Sequence, residues 1–252
     1  MLEINEIYNQ DCLEGMKLID DKSINMILTD LPYQITTNNK WDVIIPFEPL
    51  WEQYNRIVKD NGVIVLTAVQ PFTSKLIMSN EKMFKYSLVW EKTTSTGFLN
   101  AKKMPLRIHE DILVFYKKLP TYNPQMSEGH APVHSYTKHT SDGNNYNKTK
   151  MGISGGGSTK RYPTSILRFS TDKQKENLHP TQKPVKLFEY LIKTYTNKND
   201  LILDSCIGSG TTAIACINTN RNYIGFELNV EYFTIAKTRI IIAKTKIKLD
   251  IL

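Results

Sequence analysis

The chain has 252 residues and a mass of 29.0 kDa, which suits one enzyme-sized core with an inserted or appended module. Hydrophobic residues make up 40% of the chain and charged residues 23%, values that argue against a largely disordered protein. The net charge of +7 and the pI of about 9.1 favour anionic partners, nucleic acid first and a membrane surface second.

Membrane-spanning and secreted classes fit the sequence poorly. No run approaches the roughly 18 consecutive apolar residues of a spanning helix, and the first residues carry acids where a secretory signal carries lysines. The three cysteines, Cys12, Cys206 and Cys216, form no Cys-x-x-Cys pair, so we expect neither a disulfide framework nor a four-cysteine zinc site. These features predict a protein of a reducing, cytoplasmic compartment.

Alternating strands and helices are predicted along the first 120 residues. Residues 24–30 form a short apolar run that ends in a carboxylate, which is typical of a strand buried on both faces. A helix is predicted over 46–59, with a stop signal at Asp60-Asn61-Gly62, and further strands over 63–69, 84–90 and 112–116.

The same alternation returns near the end of the chain. Helices are predicted over 184–195, 211–217 and 230–243, and strands over 199–204 and 223–226. Strands that alternate with helices indicate an α/β protein with an open, mostly parallel sheet.

The middle of the chain carries the whole basic excess. Between Lys92 and Lys175 there are 14 lysines and arginines against 5 acids, a net charge of +9, so the rest of the chain has −2. This stretch also holds a Gly155-Gly156-Gly157 run and segments rich in Asn, Ser and Thr, a composition that predicts long, mobile loops.

A glycine turn follows the predicted strand at 199–204. Asp204 ends the strand, Gly208-Ser209-Gly210 forms the turn, and Thr211 begins the next helix. Such a turn lets the backbone approach a ligand closely, and Glu227, 19 residues after Gly208, is placed to accept both hydroxyls of a ribose. No third glycine and no phosphate loop follow, so an adenosine ligand without a pyrophosphate is favoured, S-adenosylmethionine being the commonest. A glycine-rich turn with a surface glutamate is the alternative.

A second motif, Asp30-Leu31-Pro32-Tyr33, ends the first buried strand, where open α/β sheets bind ligands. The Asp30 carboxylate and the Leu31 carbonyl can each accept a hydrogen from an exocyclic amine, and Tyr33 can stack on the ring. Holding both hydrogens favours a pyramidal nitrogen whose lone pair can attack an electrophile. A strand-terminal turn with a solvated aspartate is the alternative.

With these motifs in this order the chain resembles the β group of DNA amino-methyltransferases, which act on adenine N6 or cytosine N4. Their order is catalytic tetrapeptide, basic target-recognition region, a His-Pro-Thr-x-Lys-Pro stretch (here residues 179–184) and the S-adenosylmethionine turn, and the match spans nearly the whole chain. The resemblance implies a Rossmann-like S-adenosylmethionine methyltransferase fold: a mixed, mostly parallel sheet with helices on both faces, a circularly permuted motif order and an inserted target-recognition region. It divides the chain into a catalytic half (1–91), a basic recognition region whose strands return to the core near 110–117 (92–178) and a cofactor half (179–252).

The resemblance also assigns roles to residues. Asp30, Leu31, Pro32 and Tyr33 are implied as the target-base site. Asp11 and Cys12 resemble a segment that borders the cofactor's adenine, Glu227 is implied on its ribose, and His179, Thr181 and Lys183 at its methionine end, with Lys183 pairing with the carboxylate. Asp204, Gly208, Ser209, Gly210 and Thr211 are the remaining implied cofactor residues.

This sequence departs from the family pattern at two positions. Leu31 stands where the tetrapeptide usually has proline; the backbone carbonyl remains, but leucine restricts φ less. Ser205-Cys206 stands where the turn usually has Pro-Phe, which removes an aromatic surface near the cofactor. Cys206 is not expected to be a nucleophile, because amine methylation needs no covalent intermediate.

Aspartate in the first tetrapeptide position is the family's usual choice for adenine, so we predict adenine N6 as the target, with cytosine N4 as the alternative. A target amine inside a duplex requires the base to rotate out, and the basic segment then holds phosphates. The candidate DNA contacts are Lys92, Lys102, Lys103, Arg107, Lys148, Lys150, Lys160 and Arg161; the alternative for each is a solvated lysine or arginine.

The scattered histidines predict no metal site, since Pro132 interrupts the His130, His134 and His139 series, and His109-Glu110 is interpreted as a structural pair at a strand entry rather than a catalytic one. Double-stranded DNA is the predicted partner, in the cytoplasm of a bacterium or from a phage gene; a homodimer and a companion restriction endonuclease are left open. An RNA or protein methyltransferase on the same core, and a non-catalytic DNA-binding module, are the remaining alternatives.

Overall fold

The computed structural model describes residues 2–34, 43–137, 152–171 and 182–250. They form two compact units, one spanning Met1–Asn123 and Ser165–Leu252 and a smaller one spanning Pro124–Thr164. None of the helices in these ranges is long and apolar enough to cross a membrane.

The larger unit contains eight strands and six α-helices in its described residues. The strands are β1 (Glu6–Tyr8), β2 (Ile24–Asp30), β3 (Val58–Ala68), β4 (Phe84–Thr96), β5 (Arg107–Phe115), β8 (Ile166–Phe169), β9 (Leu201–Asp204) and β10 (Asn222–Phe226). The helices are α1 (Cys12–Met16), α2 (Phe47–Ile57), α3 (Phe72–Ser79), α4 (Val185–Tyr195), α5 (Thr211–Thr219) and α6 (Val230–Asp250). The smaller unit holds the short antiparallel pair β6 (Tyr136–Thr137) and β7 (Ser154–Gly155).

The eight strands form one sheet in the order β1-β10-β9-β2-β3-β5-β4-β8. Strand β5 pairs antiparallel with both β3 and β4, and the other neighbours are parallel, so the predicted mixed, mostly parallel sheet is confirmed. Several predicted strands are longer than expected: β3 begins at Val58, and β4 runs on to Thr96.

Helices cover both faces of the sheet because alternate residues of its central strands point to opposite faces. Met26 and Leu28 of β2 belong to the core beneath α4, α5 and α6, whereas Ile27 packs in the core beneath α1, α2 and α3. Two buried apolar layers therefore pack against the sheet, one on each face. The predicted helices on both faces are confirmed.

The short elements were not predicted from the sequence. β1 has only three residues and α1 only five, with Asp11 as the N-cap of α1, so neither has enough length for a visible hydrophobic period. Helix α3 and strand β8 were also not predicted, and α6 extends past Ala243 to Asp250.

Strand order places two distant parts of the chain side by side. β9 pairs in parallel with β2, with Met26 opposite Ile202 and Ile27 opposite Leu203. Because parallel strands end at the same edge of a sheet, Asp30 and Asp204 lie at one edge, although 174 positions separate them in the sequence.

Candidate active site

A cavity of about 710 Å³ opens at the carboxyl edge of β2, β9 and β10. It is lined by most of the predicted site residues: Asp11, Cys12, Asp30, Leu31, Pro32, Tyr33, Lys183, Asp204, Gly208, Ser209, Thr211 and Glu227. The volume is in the range of pockets that bind nucleotide-sized and drug-sized ligands. The tetrapeptide and the glycine turn therefore share one cavity.

Asp30 is fully engaged by its neighbours. Its Oδ1 accepts hydrogen bonds from the hydroxyls of Tyr33 and Thr67, and its Oδ2 accepts one from Lys183 Nζ at 2.7 Å. Thr67 stands opposite Asp30 in the β2–β3 pairing, which places its hydroxyl at the carboxylate. The three donors hold the Asp30 carboxylate in one orientation at the cavity wall.

Tyr33 is held as a neutral hydroxyl. Its ring packs on Phe72 with centroids 5.1 Å apart, and Lys183 Nζ lies 5.5 Å from the ring centroid. Burial, together with the negative charges of Asp30 and Glu110, raises the pKa of Tyr33 well above its ordinary value. Tyr33 therefore keeps its proton as a hydrogen-bond donor at neutral pH.

A chain of four charges, two buried lysines and two partly buried carboxylates, runs from Asp30 into the wall of the cavity. Lys183 Nζ lies 2.7 Å from Asp30 Oδ2 and 3.3 Å from Glu110 Oε2, while Glu110 Oε1 pairs with Lys92 Nζ at 2.5 Å. The signs alternate along the chain, so each inner charge has an opposite charge on either side. That arrangement offsets the large cost of burying charge in a low-dielectric interior.

The two inner members of this chain are ionised at neutral pH. Burial alone raises the pKa of Glu110, but Lys183 and Lys92 outweigh it and the net pKa is lowered. Burial likewise lowers the pKa of Lys183, but Asp30 and Glu110 outweigh it and the net pKa is raised.

Two predicted lysines have protein partners in the structure. Lys92, predicted to contact DNA phosphate, is 9% exposed, pairs with Glu110 and lies 5.2 Å from the Trp90 ring centroid. Lys183, predicted to pair with a cofactor carboxylate, is 6% exposed and pairs with Asp30 and Glu110. Both lysines line the cavity, and their roles towards DNA and cofactor stay predictions.

The glycine turn is held by two carboxylates. Asp204 accepts the Cys206 N–H at 3.0 Å and the Thr212 hydroxyl, and Glu227 accepts the Gly208 N–H at 2.9 Å and the Asn229 N–H at 2.8 Å. Gly210 has a φ of 87°, a left-handed conformation in which an added Cβ would also press on Ala236 at 3.2 Å. The turn is therefore tied to the end of β10 through Glu227.

Further contacts fix the outer side of the turn. Ser209 Oγ donates to Gln182 Oε1 at 2.9 Å, and Arg239 of α6 donates to the Ser209 carbonyl at 2.5 Å. Asp11 caps α1 by accepting the N–H groups of Leu13 and Glu14, so its carboxylate is oriented at the cavity edge.

Burial shifts the titration of groups around the turn. It raises the pKa of Asp204 to about 7, in spite of the opposing hydrogen bonds from Thr212 and the Cys206 N–H. It also raises the pKa of Glu227. A hydrogen bond with Cys12 and burial raise the pKa of Cys206 well above its ordinary value, so Cys206 remains a neutral thiol.

The other predicted residues are spread over the chain. Lys102, Lys103 and Arg107 are exposed on the larger unit. In the smaller unit Lys160 pairs with Glu128 at 2.7 Å, and Arg161 donates to backbone carbonyls, among them that of Ala131. Lys148, Lys150, His139, His179 and Thr181 lie outside the described residues. Within the described ranges, no group of three or more His, Cys, Asp or Glu side chains is placed to hold a metal ion.

Sequence reasoning missed several residues of the site. Glu110 was interpreted as part of a structural pair with His109, and Thr67, Gln182 and Arg239 were not singled out. The position of Thr67 carried a signal, since it lies near the end of a predicted strand. Nothing in the sequence marks the ion pairs of Glu110, because its partners are 18 and 73 positions away.

The carboxyl edge of this α/β sheet brings a glycine turn and the Asp-Leu-Pro-Tyr tetrapeptide into one cavity. This combination defines an S-adenosylmethionine-dependent methyltransferase. The sequence model of a family described as DNA methylase matches residues 24–238, and the chain belongs to that family of N6 and N4 amino-methyltransferases. S-adenosylmethionine is the cofactor of this family.

Known proteins similar to this chain include two curated methyltransferases. Type II methyltransferase M1.MboII of Moraxella bovis is 27% identical over 92% of this chain and 95% of its own length. DNA adenine methyltransferase YhdJ of Escherichia coli strain K12 is 29% identical over 96% of this chain and 84% of its own.

Solved structures agree on the fold. The M1.HpyAVI–SAM complex has a TM-score of 0.62 and 26% identity over 93% of this chain and 98% of that chain. The cytosine-N4-specific PvuII DNA methyltransferase has a TM-score of 0.67 at 16% identity, over 93% of this chain and 85% of that chain, which bears on the fold alone. The predicted Rossmann-like methyltransferase fold is confirmed.

The raised pKa of Asp204 predicts how stability depends on pH. In the unfolded chain the carboxyl titrates near its ordinary pKa of 3.8, whereas in the folded protein it titrates near 7. The folded protein favours the protonated carboxyl, and this preference adds to the free energy of unfolding in full below about pH 4. The contribution is lost as the pH rises towards 7. We expect wild type to lose up to about 1.4 kcal/mol of unfolding free energy per pH unit in that window, relative to Asp204→Asn.

Urea unfolding of both proteins without cofactor at pH 5, 6, 7 and 8 measures this difference. Parallel pH profiles for wild type and Asp204→Asn would contradict the assignment.

The chain of charges predicts that neutralising Glu110 lowers the free energy of unfolding more than neutralising an exposed glutamate does. Glu110→Gln leaves Lys92 without its ion-pair partner and Lys183 with Asp30 alone, so we expect a loss of about 3 kcal/mol of unfolding free energy. The matched control is Glu91→Gln, since Glu91 lies 3.9 Å from exposed Arg168 and should cost less than about 1 kcal/mol.

Adding Lys92→Met to Glu110→Gln should restore part of the loss, because the unpaired ammonium is then removed. Denaturant unfolding of the four proteins checks this, and a Glu110→Gln protein as stable as Glu91→Gln would refute the charge chain.

Proposed function

We propose that this protein is a site-specific DNA methyltransferase that methylates the N6 amine of adenine in duplex DNA after the base rotates into the cavity. The observation that carries the proposal is the shared cavity of the tetrapeptide and the glycine turn. A base amine at Asp30 and a cofactor on the turn would there lie within one enclosed space, as direct transfer requires.

The residues present fit S-adenosylmethionine at the turn. Asp204 and Glu227 are buried or partly buried carboxylates at the cavity wall, and α5 begins in the same wall at Thr211 without a side-chain N-cap. We assign Glu227 to the ribose hydroxyls and Asp11, beside Cys12, to the adenine end. When bound, the cofactor supplies a methyl group on a sulfonium, which is a strong electrophile.

Asp30 receives the target amine. We propose that an N–H of the amine replaces one of the two hydroxyl donors at Asp30 Oδ1, while Lys183 keeps Oδ2 in place. The Asp30 carboxylate and the Leu31 carbonyl then hold both amine hydrogens and direct the nitrogen lone pair at the methyl group. Asp30, which would hold the amine, would also accept the proton that the nitrogen loses when it takes up the methyl group.

Adenine is favoured over cytosine by the residue type at position 30 and by the similarity to YhdJ, which is described as a DNA adenine methyltransferase. Cytosine N4 is the second candidate, because the same carboxylate and carbonyl can accept its amine hydrogens. The duplex contacts that we propose are Lys102, Lys103 and Arg107, together with Lys148, Lys150, Lys160 and Arg161. A homodimer and a companion endonuclease of a restriction–modification system are proposed as further partners, with action in the cytoplasm.

The catalytic assignment predicts separate effects on transfer and on cofactor binding. Asp30→Ala should lower methyl transfer by about 10²–10⁴-fold, since the amine loses its acceptor, while the Kd for S-adenosylmethionine changes less than about threefold. Tritium transfer from the labelled cofactor to DNA, RNA and protein substrates measures both the activity and its target class. Nucleoside mass spectrometry of the DNA then distinguishes N6-methyladenine from N4-methylcytosine.

Asp60→Asn is the control for this experiment, because Asp60 is exposed and pairs with Lys22 and Lys118 on the surface. Retained activity in Asp30→Ala would refute the catalytic role, and transfer to RNA or protein in preference to DNA would refute the substrate.

The cofactor assignment predicts that Glu227→Ala weakens S-adenosylmethionine binding by about 10- to 100-fold, because hydrogen bonds to a charged acceptor are lost and the Gly208 N–H loses its partner. Glu231→Ala, at the first turn of α6, serves as the control and should bind normally. Isothermal titration calorimetry measures both dissociation constants. Equal values for the two variants would remove Glu227 from the cofactor site.

A further inference from the structure

The connection between β4 and β5 carries large apolar side chains that nothing covers in the described part of the chain. Phe98 is 73% exposed and Leu99 is 100% exposed, and Met104 beyond them is also exposed. Exposed apolar side chains grouped in this way mark a surface that binds a partner more often than one that binds nothing. We call residues 97–106 the β4–β5 tip.

The tip is an ordered turn. Gly97 adopts a φ of 93° in the left-handed region, and Phe98–Asn100 form a short 3₁₀ helix. The N–H groups of Asn100 and Lys103 donate to the carbonyls of Gly97 and Asn100 at 2.9 and 2.8 Å. The apolar side chains are therefore presented on a preformed turn rather than on a loose chain.

Charge around the tip identifies its partner. Lys102, Lys103 and Arg107 flank the apolar residues, and residues 93–109 contain no acid. Basic side chains around apolar ones complement a partner that has negative charges outside and apolar surface inside. A DNA duplex has this arrangement, with phosphates outside and stacked bases within.

The base of the tip borders the cavity of the candidate active site. Thr96, at the end of β4, and Arg107, at the start of β5, face each other across the hairpin, and both line the cavity. Phe98 and Leu99 follow Thr96 by two and three positions, so the exposed apolar side chains stand next to the rim of the cavity. The tip is thus placed beside a base held in the cavity.

From these observations we propose that Phe98 and Leu99 enter the duplex as a wedge and fill the space that the target base leaves. Apolar side chains placed between base steps are a general means of unstacking DNA. The wedge rests on the proposed function, since it needs a base that rotates into the cavity. Lys102, Lys103 and Arg107 then hold the phosphates beside the opened step.

The test compares a Phe98→Ser/Leu99→Ser double variant with wild type on two duplexes that carry the methylated sequence. In one, the target base is paired; in the other, it faces an abasic site and is already unpaired. We expect kcat/KM on the paired duplex to fall about 10- to 100-fold in the double variant, and on the unpaired duplex to stay within about threefold of wild type, because an unpaired base is easier to extrude.

The matched control is Met78→Ser/Leu119→Ser, which removes two other exposed apolar side chains of the same unit and should match wild type on both duplexes. Fluorescence of 2-aminopurine at the target position measures extrusion without methyl transfer, and the double variant should lose most of the signal. Reduced activity by an equal factor on both duplexes, or full activity on the paired duplex, would overturn the wedge.

Sedimentation without DNA measures the oligomeric state of both proteins. If wild type is a dimer and the double variant is a monomer, the tip binds a second copy of the chain, and this result would also overturn the wedge. Failure of the proposed function has a different signature, because wild type would then methylate neither duplex. If wild type methylates cytosine instead, the same pair of duplexes is built around cytosine.

Discussion

The candidate site depends on the parallel pairing of β9 with β2. These strands are more than 170 residues apart in the sequence, yet their pairing puts the carboxylates of Asp30 and Asp204 at one edge of the sheet. The buried layers on both faces fix this pairing, because a shift of one residue would turn Ile27 and Leu203 from one core to the other. Everything proposed about chemistry follows from that register, since it decides which side chains line the cavity.

The cavity wall joins catalysis to stability. Asp30 is oriented by Lys183, Lys183 is balanced by Glu110, and Glu110 is balanced by Lys92, so a change at any inner member leaves a charge unpaired. Lys183 Nζ is shared between Asp30 and Glu110, so it occupies Oδ2 of Asp30 and leaves Oδ1 to the hydroxyls of Tyr33 and Thr67. In the proposed function, an amine would displace one of these hydroxyls without disturbing the ion pair.

Much of the fold and part of the site could be predicted from the sequence, for local reasons. β2 and β9 are continuous apolar runs that end in a carboxylate. One helix and one strand lie between Gly208 and Glu227, so the spacing predicts Glu227 beside the glycine turn, whereas the hydrogen bond that it accepts from the Gly208 N–H is seen only in the structure. The charge chain could not be predicted, because its members come from β4, β5, the β2 end and the segment before α4. The sequence does not tell a surface lysine from a buried one, so the ion pair of Lys92 with Glu110 could not be predicted either. β1 and α1 are too short to show a period.

The protein contacts of Lys92, Lys160 and Arg161 bear on how DNA could be held. The basic excess of the middle segment is not one uniform surface, since Lys92 pairs with the partly buried carboxylate of Glu110, Lys160 is paired with Glu128, and Arg161 is bonded to backbone carbonyls. Arg107 of the β4–β5 hairpin is exposed and lines the cavity, and Lys102 and Lys103 are exposed on the same hairpin. That hairpin combines apolar and basic side chains on a stem shared with the cavity wall. In the proposed wedge mechanism, binding the backbone and opening the base pair are linked through this one hairpin, because phosphate contacts beside the cavity would position the apolar tip at the base to be extruded.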